Sequence, residues 1–186
     1  MPRPREFSHS AVVDAAMQAF WAGGLATTSV DTLLQVTGLS RSSMYQCIGN
    51  RDTLVELAVG RYVEQQLAGI DKAFAGRALG EAFQALLEDA AQSNFDGRGC
   101  LLSNGVHELH AVEGAALAAV RDGLARVAGA LGAAIERAQP GRTDSGQRSI
   151  ELMIAIAGLR AMHRAGMPRS RLLDAAKRFA ASLSAD

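Results

Sequence analysis

The sequence of Thr28–Leu54 is TSVDTLLQVTGLSRSSMYQCIGNRDTL, and it predicts two short helices joined by a tight turn, followed by the start of a third helix. Its first residue is a suitable N-cap, because Asp31 three positions later completes a capping box. Gly38 stands where the first helix must end, at a position that favours a left-handed backbone. Ser40 then caps a second helix that begins at Arg41. Helix, short glycine-containing turn and helix is the helix-turn-helix pattern, whose second helix enters the major groove of DNA.

The two helices of this pattern differ in what they expose. The apolar face of the first consists of Val30, Leu33, Leu34 and Val36. The second helix is mostly polar, with Met44 as its plain core residue, and Asn50 caps the helix after it. Arginine and glutamine donate to base edges, and hydroxyl groups and helix N-termini bind phosphates. We expect base contacts from Arg41, Ser42, Ser43 and Gln46. We expect phosphate contacts from Thr28, Tyr45 and Arg51.

The first 56 residues also carry a family resemblance. The matching positions are Val12, Val13, Asp14, Ala15, Ala16, Phe20, Gly24, Thr27–Val30, Gly38–Arg41, Met44, Tyr45, Gly49 and Leu54. In this order and spacing they resemble the N-terminal domain of TetR/AcrR-type transcriptional regulators. The chain departs from that pattern at three positions. It has Leu25 where the family usually has an aromatic residue, Ile48 where it usually has phenylalanine, and Arg51 where it usually has lysine. Arginine in place of lysine keeps the charge but changes its geometry.

Length and composition limit the class of protein. The chain has 186 residues, 48% of them hydrophobic, which is enough for one large or two small domains. No uninterrupted apolar run reaches the ~20 residues of a membrane span, and the N-terminal MPRPREFSHS lacks the apolar core of a signal peptide. We therefore expect a cytoplasmic protein that does not enter a membrane. Cys47 and Cys100 are too few for a disulfide framework, which agrees with a reducing compartment.

The charge balance is neutral, both for the whole chain and for its N-terminal part. Residues 1–52 hold equal numbers of arginines and acidic residues, namely Arg3, Arg5, Arg41 and Arg51 against Glu6, Asp14, Asp31 and Asp52. Residues 1–8 are interpreted either as a basic arm that touches phosphates or a minor groove, or as an ordinary terminus. We expect modest nonspecific affinity for DNA, with specific binding that needs two copies of the groove-contacting unit.

The rest of the chain also predicts helices, because it contains no β-branched runs and no alternating strand pattern. Besides the helix-turn-helix, the predicted helices run from Ser10 to Gly23, Arg51 to Ala73, Leu79 to Ser93, Cys100 to Ala111, Leu117 to the Pro140–Gly141 pair, Gln147 to Ala165, and onward from Pro168. The helix from Leu117 has a heptad-like seam at Leu117, Val120, Leu124, Val127, Leu131 and Ala134.

The last two helices predict self-association. Residues 147–165 are apolar nearly all round, and a helix of that kind needs a partner. The final helix has one apolar stripe, at Leu172, Leu173, Ala176, Phe179, Ala180 and Leu183. Two such helices from each of two chains would close a four-helix bundle. TetR-like proteins dimerise in this way, and the resemblance implies a homodimer here.

The segment Cys100–Ala111, CLLSNGVHELHA, mixes polar with apolar residues, which would suit the lining of a ligand pocket. The resemblance implies that a ligand binds in the body and releases the protein from DNA. The residues assigned to this pocket are Tyr62, Gln66, Cys100, Ser103, Asn104, His107 and Met153. The helix that begins at Arg51 would join the DNA-binding part to the body, so a ligand that moves its far end would change the spacing of two such parts.

Catalytic patterns are not recognisable. His107 and His110 enclose a glutamate, but they are three positions apart where the zincin motif needs four, and a third ligand is not evident. The sequence shows no nucleophile elbow, no Walker loop and no catalytic carboxylate pair. Cys47 and Cys100 are interpreted as small buried hydrophobes, with a redox-sensing thiol as the alternative. We therefore expect a protein that is not an enzyme and that needs no metal and no cofactor.

Together these patterns predict an all-α protein. Residues 1–50 would form a three-helix, homeodomain-like helix-turn-helix domain, and residues 51–186 a helical ligand-binding and dimerisation domain. The predicted function is a ligand-responsive, sequence-specific DNA-binding transcriptional regulator of the repressor type. Its partners would be double-stranded DNA with a palindromic operator, an unidentified small-molecule effector and a second copy of the chain. The alternatives are a helical ligand-binding or scaffolding dimer with weak or no DNA binding, and a helical metalloenzyme that uses His107 and His110.

Overall fold

The computed structural model describes residues 8–92, 97–110 and 114–185. Within these ranges the chain forms α-helices that are joined by short turns, and it forms no β-strand. This confirms the all-α prediction. The helices are α1 (His9–Gly23), α2 (Val30–Thr37), α3 (Arg41–Cys47), α4 (Arg51–Phe74), α5 (Leu79–Gln92), α6 (Leu101–Leu109), α7 (Ala115–Ala138), α8 (Ser145–Arg164) and α9 (Arg169–Ser184). Residues 1–7 of the predicted arm and the predicted helix ends at Ser93 and Ala111 lie outside the described residues.

Local capping positions the helix-turn-helix. The Ser40 hydroxyl accepts from the backbone N–H of Ser43 at 3.0 Å, and the Asn50 side chain accepts from Thr53 N–H at 2.9 Å, as predicted. Gly38 ends α2 with φ of 70°, in the left-handed region that favours glycine. These contacts join residues at most three positions apart, which is why the sequence alone could indicate them.

The predicted cap of α2 is wrong by one residue. Ser29 is the N-cap, because its hydroxyl accepts from Thr32 N–H at 3.1 Å. Thr28 is buried, and its hydroxyl donates to the carbonyl of Gly24 at 2.7 Å in the turn after α1. Val36 is also misassigned, since its side chain is exposed. A helix turns about 100° per residue, so Val36 lies about 160° from Leu34 and about 120° from Val30, beyond the edge of the buried arc.

Two clusters of buried side chains form the core. The first joins α1–α4 to α6 and the N-terminal part of α7, through residues such as Phe20, Leu54, Leu101 and Val120. The second joins α5, α8 and α9 to the C-terminal parts of α4 and α7. Both α4 and α7 therefore cross from one cluster to the other, and at 24 residues each they are about 36 Å long.

Two glycines allow the helices around α6 to approach closely. A Cβ at Gly105 of α6 would lie 2.7 Å from Leu25 Cδ1 and 3.0 Å from Val120 Cγ2. A Cβ at Gly123 of α7 would lie 2.9 Å from Val63 Cγ2. Real Cβ atoms need more room than this, so a side chain at either position would push the packed helices apart.

The C-terminal helices leave apolar side chains uncovered in the single chain. On α8, Leu152 and Leu159 pack into the second cluster, but Ile154 is 66% exposed, and Ile150 and Met162 are exposed with it. On α9, Leu172, Ala176 and Ala180 of the predicted stripe are buried, whereas Phe179 is exposed. We call the set Ile150, Ile154, Met162 and Phe179 the α8–α9 face. None of the helices traced over 8–92, 97–110 and 114–185 has the length and hydropathy that a membrane span requires.

Candidate nucleic-acid interface and body cavity

The helix α3 presents one polar face to solvent. With about 100° per residue, Arg41, Tyr45, Ser42 and Gln46 fall within an arc of about 140°. All four are exposed, Tyr45 by 52%, while Met44 points away from this arc and is buried. The surface therefore groups four of the seven residues assigned to DNA contacts, and we call it the α3 face.

Arg41 lies at one edge of the α3 face and is paired within the chain. Its Nη2 donates to Asp31 Oδ1 of α2 at 2.7 Å, with 58% and 82% of the two side chains exposed. Exposed ion pairs of this kind contribute about 0–1 kcal/mol. Arg41 can therefore exchange Asp31 for another acceptor at small cost. Ser43 lies beside the opposite edge, next to Gln46, but is half-buried, and its hydroxyl is 2.8 Å from that of Ser40.

The other two predicted phosphate contacts point inward. Arg51 donates from Nε to the carbonyl of Thr28 at 3.0 Å, and from Nη2 to the carbonyls of Leu25 and Ala26. Its guanidinium also lies over the ring of Phe20, 5.5 Å from the centroid. Arg51 thus fastens the turn between α1 and α2, and Thr28 belongs to the same turn. Both side chains are bonded to backbone carbonyls in the single chain, so a phosphate contact by Arg51 or Thr28 stays a prediction.

A cavity of about 440 Å³ lies in the body, between the two core clusters. Its apolar wall includes Ile70, Leu86, Leu124, Val127, Leu131 and Ile156. Four of the predicted pocket residues line it, namely Gln66, Cys100, Ser103 and Met153. The volume and the mixed lining are those of small-molecule sites in proteins.

Three predicted pocket residues do not line this cavity. The Asn104 side chain donates to the carbonyl of Arg98 at 2.7 Å and so holds the turn before α6. His107 is exposed on the outer side of α6. Tyr62 is fully buried behind the wall, where its hydroxyl lies beside the Cys100 thiol. The two cysteines were predicted to be buried, but Cys47 is exposed and Cys100 is only partly buried.

The cavity contains a charged residue that the sequence analysis missed. Arg160 of α8 lines the wall with only 8% of its surface exposed. Burial opposes ionisation of the Cys100 thiol, but the positive charge of Arg160, with hydrogen bonds from Ser103 and Tyr62, outweighs it and lowers the pKa of Cys100. Burial raises the pKa of Tyr62 well above its usual value, so the phenol stays protonated. The signal in the sequence was an arginine inside an otherwise apolar helix segment, but that segment was assigned to dimerisation.

The short helix α6 connects the cavity to the helix-turn-helix part. Cys100 and Ser103 at its beginning line the cavity, whereas Glu108 near its end accepts from the backbone N–H of Ala26 at 3.1 Å. Ser103 and Glu108 are about 7.5 Å apart along the helix axis. Before α6, the indole Nε1 of Trp21 donates to the carbonyl of Gly99 at 3.2 Å. A displacement of α6 at the cavity would therefore reach the α1–α2 turn directly, in addition to any motion of α4.

The described residues contain no group of three or more histidine, cysteine, aspartate or glutamate side chains that could hold a metal ion. His107 and His110 are both exposed, and His110 Nδ1 lies 2.6 Å from the carbonyl of His107. Their side chains are thus not directed at a common enclosed site.

Comparison with solved structures identifies the fold. CifR, a TetR family transcriptional regulator whose cysteine mutant was solved in complex with 26-base-pair double-strand operator DNA, superposes with a TM-score of 0.80 at 21% identity. The match covers 97% of this chain and 99% of the CifR chain. A TetR family regulator from Cytophaga hutchinsonii gives a TM-score of 0.74 at 20% identity, over 93% of this chain and 92% of that chain. The chain has the TetR-family fold.

At sequence level, the TetR-family resemblance concerns part of the chain. The HTH-type transcriptional repressor ComR of Escherichia coli (strain K12) is 32% identical over 63 residues, which are 34% of this chain. The chain thus spans only 30% of the length of this curated relative. No family model matches the sequence. The structural relatives named here are transcriptional regulators and not enzymes, and the predicted TetR-like architecture is confirmed.

Proposed function

We propose that this chain is a homodimeric, sequence-specific DNA-binding transcriptional regulator whose DNA affinity responds to a small molecule in the body cavity. The observation that carries the proposal is the α3 face, a solvent-exposed polar surface on the second helix of a helix-turn-helix. A related TetR-family fold, that of CifR, was solved with operator DNA, and ComR is a transcriptional repressor. Both support the proposal that the α3 face enters a major groove and that the protein is a repressor.

The contacts follow from the geometry of α3. Arg41, Ser42 and Gln46 would donate to base edges, and Tyr45 beside them would donate to a phosphate. Ser43 contributes through its cap contact with Ser40, which fixes the N-terminus of α3. Thr28 and Arg51 hold the α1–α2 turn.

The homodimer would form through the α8–α9 face. Its residues are large and apolar, and they stand uncovered on neighbouring helices of one chain. Exposed large apolar side chains grouped on two helices are typical of a protein–protein contact. Two copies would bury it in a four-helix bundle, which places two α3 faces on one side of a dimer. Operator half-sites for such a dimer lie about 34–36 Å apart, so the operator would be palindromic.

A ligand in the cavity would regulate this spacing. The cavity is lined by α4, which begins shortly after α3, and by α6, whose Glu108 contacts the α1–α2 turn. The boundary between residues 1–50 and 51–186 stays a prediction. The continuous first core cluster across this boundary supports a rigid connection, so that motion of the cavity wall moves the α3 face.

The DNA proposal is tested by selecting binding sites from random double-stranded DNA with the purified protein. Fluorescence anisotropy then measures the affinity for the selected site with excess competitor DNA. Gln46→Ala should weaken specific binding by about 1–3 kcal/mol, the value of one good base contact. Gln84→Ala is the matched control, since Gln84 is exposed on α5 and pairs with Glu88. Equal binding by the two variants would refute the assignment of the α3 face.

One observation favours a second function, a ligand-binding dimer with weak DNA binding. Of the arginines near the helix-turn-helix, Arg51 is bonded inward and Arg41 is paired with Asp31. Little positive charge is therefore left for phosphates. The same selection experiment distinguishes the two functions. A dimer with weak DNA binding would yield no DNA sequence that stays bound in the presence of excess competitor DNA.

The dimer proposal is tested by size-exclusion chromatography with light scattering. Ile154→Glu should convert a dimer into a monomer, because a carboxylate would be buried in the four-helix bundle. Val36→Glu is the control, since Val36 is a comparably exposed β-branched residue on α2. A dimeric Ile154→Glu protein would refute the role of the α8–α9 face.

A further inference from the structure

The charge around the body cavity is uneven. Its lining includes the cations Lys72, Arg77 and Arg160 and a single acid, Asp89, so the formal charge of the lining is three minus one, or +2. Lys72 and Asp89 are exposed and stand at the mouth. Arg77 donates from Nη1 to the carbonyls of Lys72 and Ala73 at the end of α4, at 2.7 and 3.0 Å. Only Arg160 is buried, so it determines the potential at the inner end of the cavity.

The field of Arg160 reaches the inner wall. Its charge, together with hydrogen bonds from Ser103 and Tyr62, outweighs the burial of the Cys100 thiol and lowers the pKa of that group. Whatever other contacts Arg160 makes, its positive charge is felt at an atom that lines the cavity. A carboxylate placed near Cys100 would be stabilised by the same field, and a cationic group would be repelled.

Neutral donors stand at the same end. The Tyr62 hydroxyl is fully buried, stays protonated and lies beside the Cys100 thiol. Ser103 contributes a hydroxyl from the first turn of α6, beside Cys100. An acceptor oxygen of a ligand at this end could accept a hydrogen bond from the Ser103 hydroxyl.

The remainder of the wall is apolar. It is formed by side chains of α4, α5, α7 and α8, namely Ile70, Leu86, Leu124, Val127, Leu131 and Ile156. Along α4, the lining residues Gln66 and Lys72 are about 9 Å apart, so the lining covers at least that length of the helix. A ligand that matches this lining has one anionic end and an apolar body.

We propose that the cavity binds an amphipathic carboxylate, whose head group is held by Arg160 and Ser103 and whose apolar body lies against the leucine and isoleucine side chains of α4, α5, α7 and α8. This inference names the effector class for the proposed function and rests on that function for its regulatory meaning. Binding itself does not depend on DNA and is measured without it.

The test uses matched probes on the full chain, by isothermal titration calorimetry. The pairs are octanoate with 1-octanol and 2-naphthylacetate with 2-naphthaleneethanol, so that each pair shares a body and differs in the head group; octylamine supplies the cationic head. We expect the carboxylate of at least one pair to bind about 10- to 100-fold more tightly than its alcohol, the range for hydrogen bonds to a charged group. Equal affinity within both pairs, or a preference for octylamine, overturns the proposal.

Two variants assign the preference to the inner end. Arg160→Gln should reduce the carboxylate preference to within about threefold while alcohol binding is retained, and Arg137→Gln, an exposed arginine on α7, should change neither. Gln66→Glu adds a negative charge to the wall with little change of shape, so it should weaken carboxylate binding selectively. If Arg160→Gln does not fold, as judged by circular dichroism, Gln66→Glu decides alone. Carboxylate binding unaffected by Gln66→Glu overturns the proposal.

The outcomes separate this inference from the proposed function. Carboxylate preference in a protein that selects no DNA sequence would refute the regulator and keep the cavity assignment. Specific DNA binding without carboxylate preference would support the proposed regulator function and refute the proposed ligand class. When both hold, octanoate or 2-naphthylacetate should shift the affinity for the selected DNA site, and Arg160→Gln should remove that shift.

Discussion

Arg51 could serve the fold or contact DNA, and its replacement by methionine tests which of these two roles it has. In the structure its guanidinium donates to the carbonyls of Leu25, Ala26 and Thr28 and lies over the Phe20 ring. Methionine keeps the apolar stem of the side chain and removes every one of those donors. The turn between α1 and α2 would lose its main fastening.

The expected loss of stability can be worked out from these contacts. A hydrogen bond from a charged donor contributes about 1.5–3 kcal/mol, and a cation over an aromatic ring about 0.5–1 kcal/mol. The contributions do not add fully, because 26% of the Arg51 side chain is exposed and water can reach the released carbonyl of Ala26. We expect Arg51→Met to lower the free energy of unfolding by about 2–4 kcal/mol, a large part of the 5–15 kcal/mol typical of a folded protein.

The assay is urea unfolding followed by circular dichroism, at one fixed protein concentration because a dimer's stability depends on it. Arg51→Lys should recover about half of the loss, since an ammonium group can serve only some of the three carbonyls. Asp52→Asn is the control, because its closest approach to Arg51 is 3.8 Å at an exposed position. If Arg51→Met unfolds within about 0.5 kcal/mol of the wild type but loses DNA affinity, the side chain serves a phosphate and the structural account is refuted.

Two further predictions concern packing and pH. Gly105→Ala should lower the free energy of unfolding by about 1–3 kcal/mol through overpacking, whereas Gly129→Ala on α7, where an added Cβ meets nothing within 4 Å, should raise it by about 0.5–1 kcal/mol; equal effects in urea unfolding would contradict the close packing of α6. Arg142 and Arg148 lower the pKa of Asp144 to about 2 through hydrogen bonds. The stabilising contribution of Asp144 is therefore present above its unfolded pKa and is lost as the pH falls through about 2. Asp144→Asn should make the fall in the urea midpoint between about pH 4 and about pH 2 less steep, and an unchanged slope would contradict this pairing.

The parts of the fold that depend on near neighbours were predictable. The caps at Ser40 and Asn50 and the left-handed Gly38 each involve residues within one helical turn, so the residue types carried the information. Thr28 shows the limit of that reasoning. A threonine three positions before an acidic residue fits a capping box, yet its hydroxyl finds a carbonyl in the preceding turn and leaves the cap to Ser29.

The candidate site was predictable where exposure alone matters. Arg41, Ser42, Tyr45 and Gln46 share one arc because of the helical repeat, which the sequence contains. The cavity was predictable only in part. Its wall combines α4, α5, α6, α7 and α8, and no pattern within one helix shows which polar side chain of another helix will face it.

The sequence by itself determined the helices, most of their ends and the side of each helix that is apolar, because these depend on spacings of up to four residues. The tertiary structure decided where long polar side chains are directed. Arg51 meets carbonyls 23 to 26 positions earlier in the chain, and Arg160 acts on a thiol in another helix. An arginine can extend toward water, DNA or a buried carbonyl with similar ease, so its role is fixed only when packing brings one partner within reach.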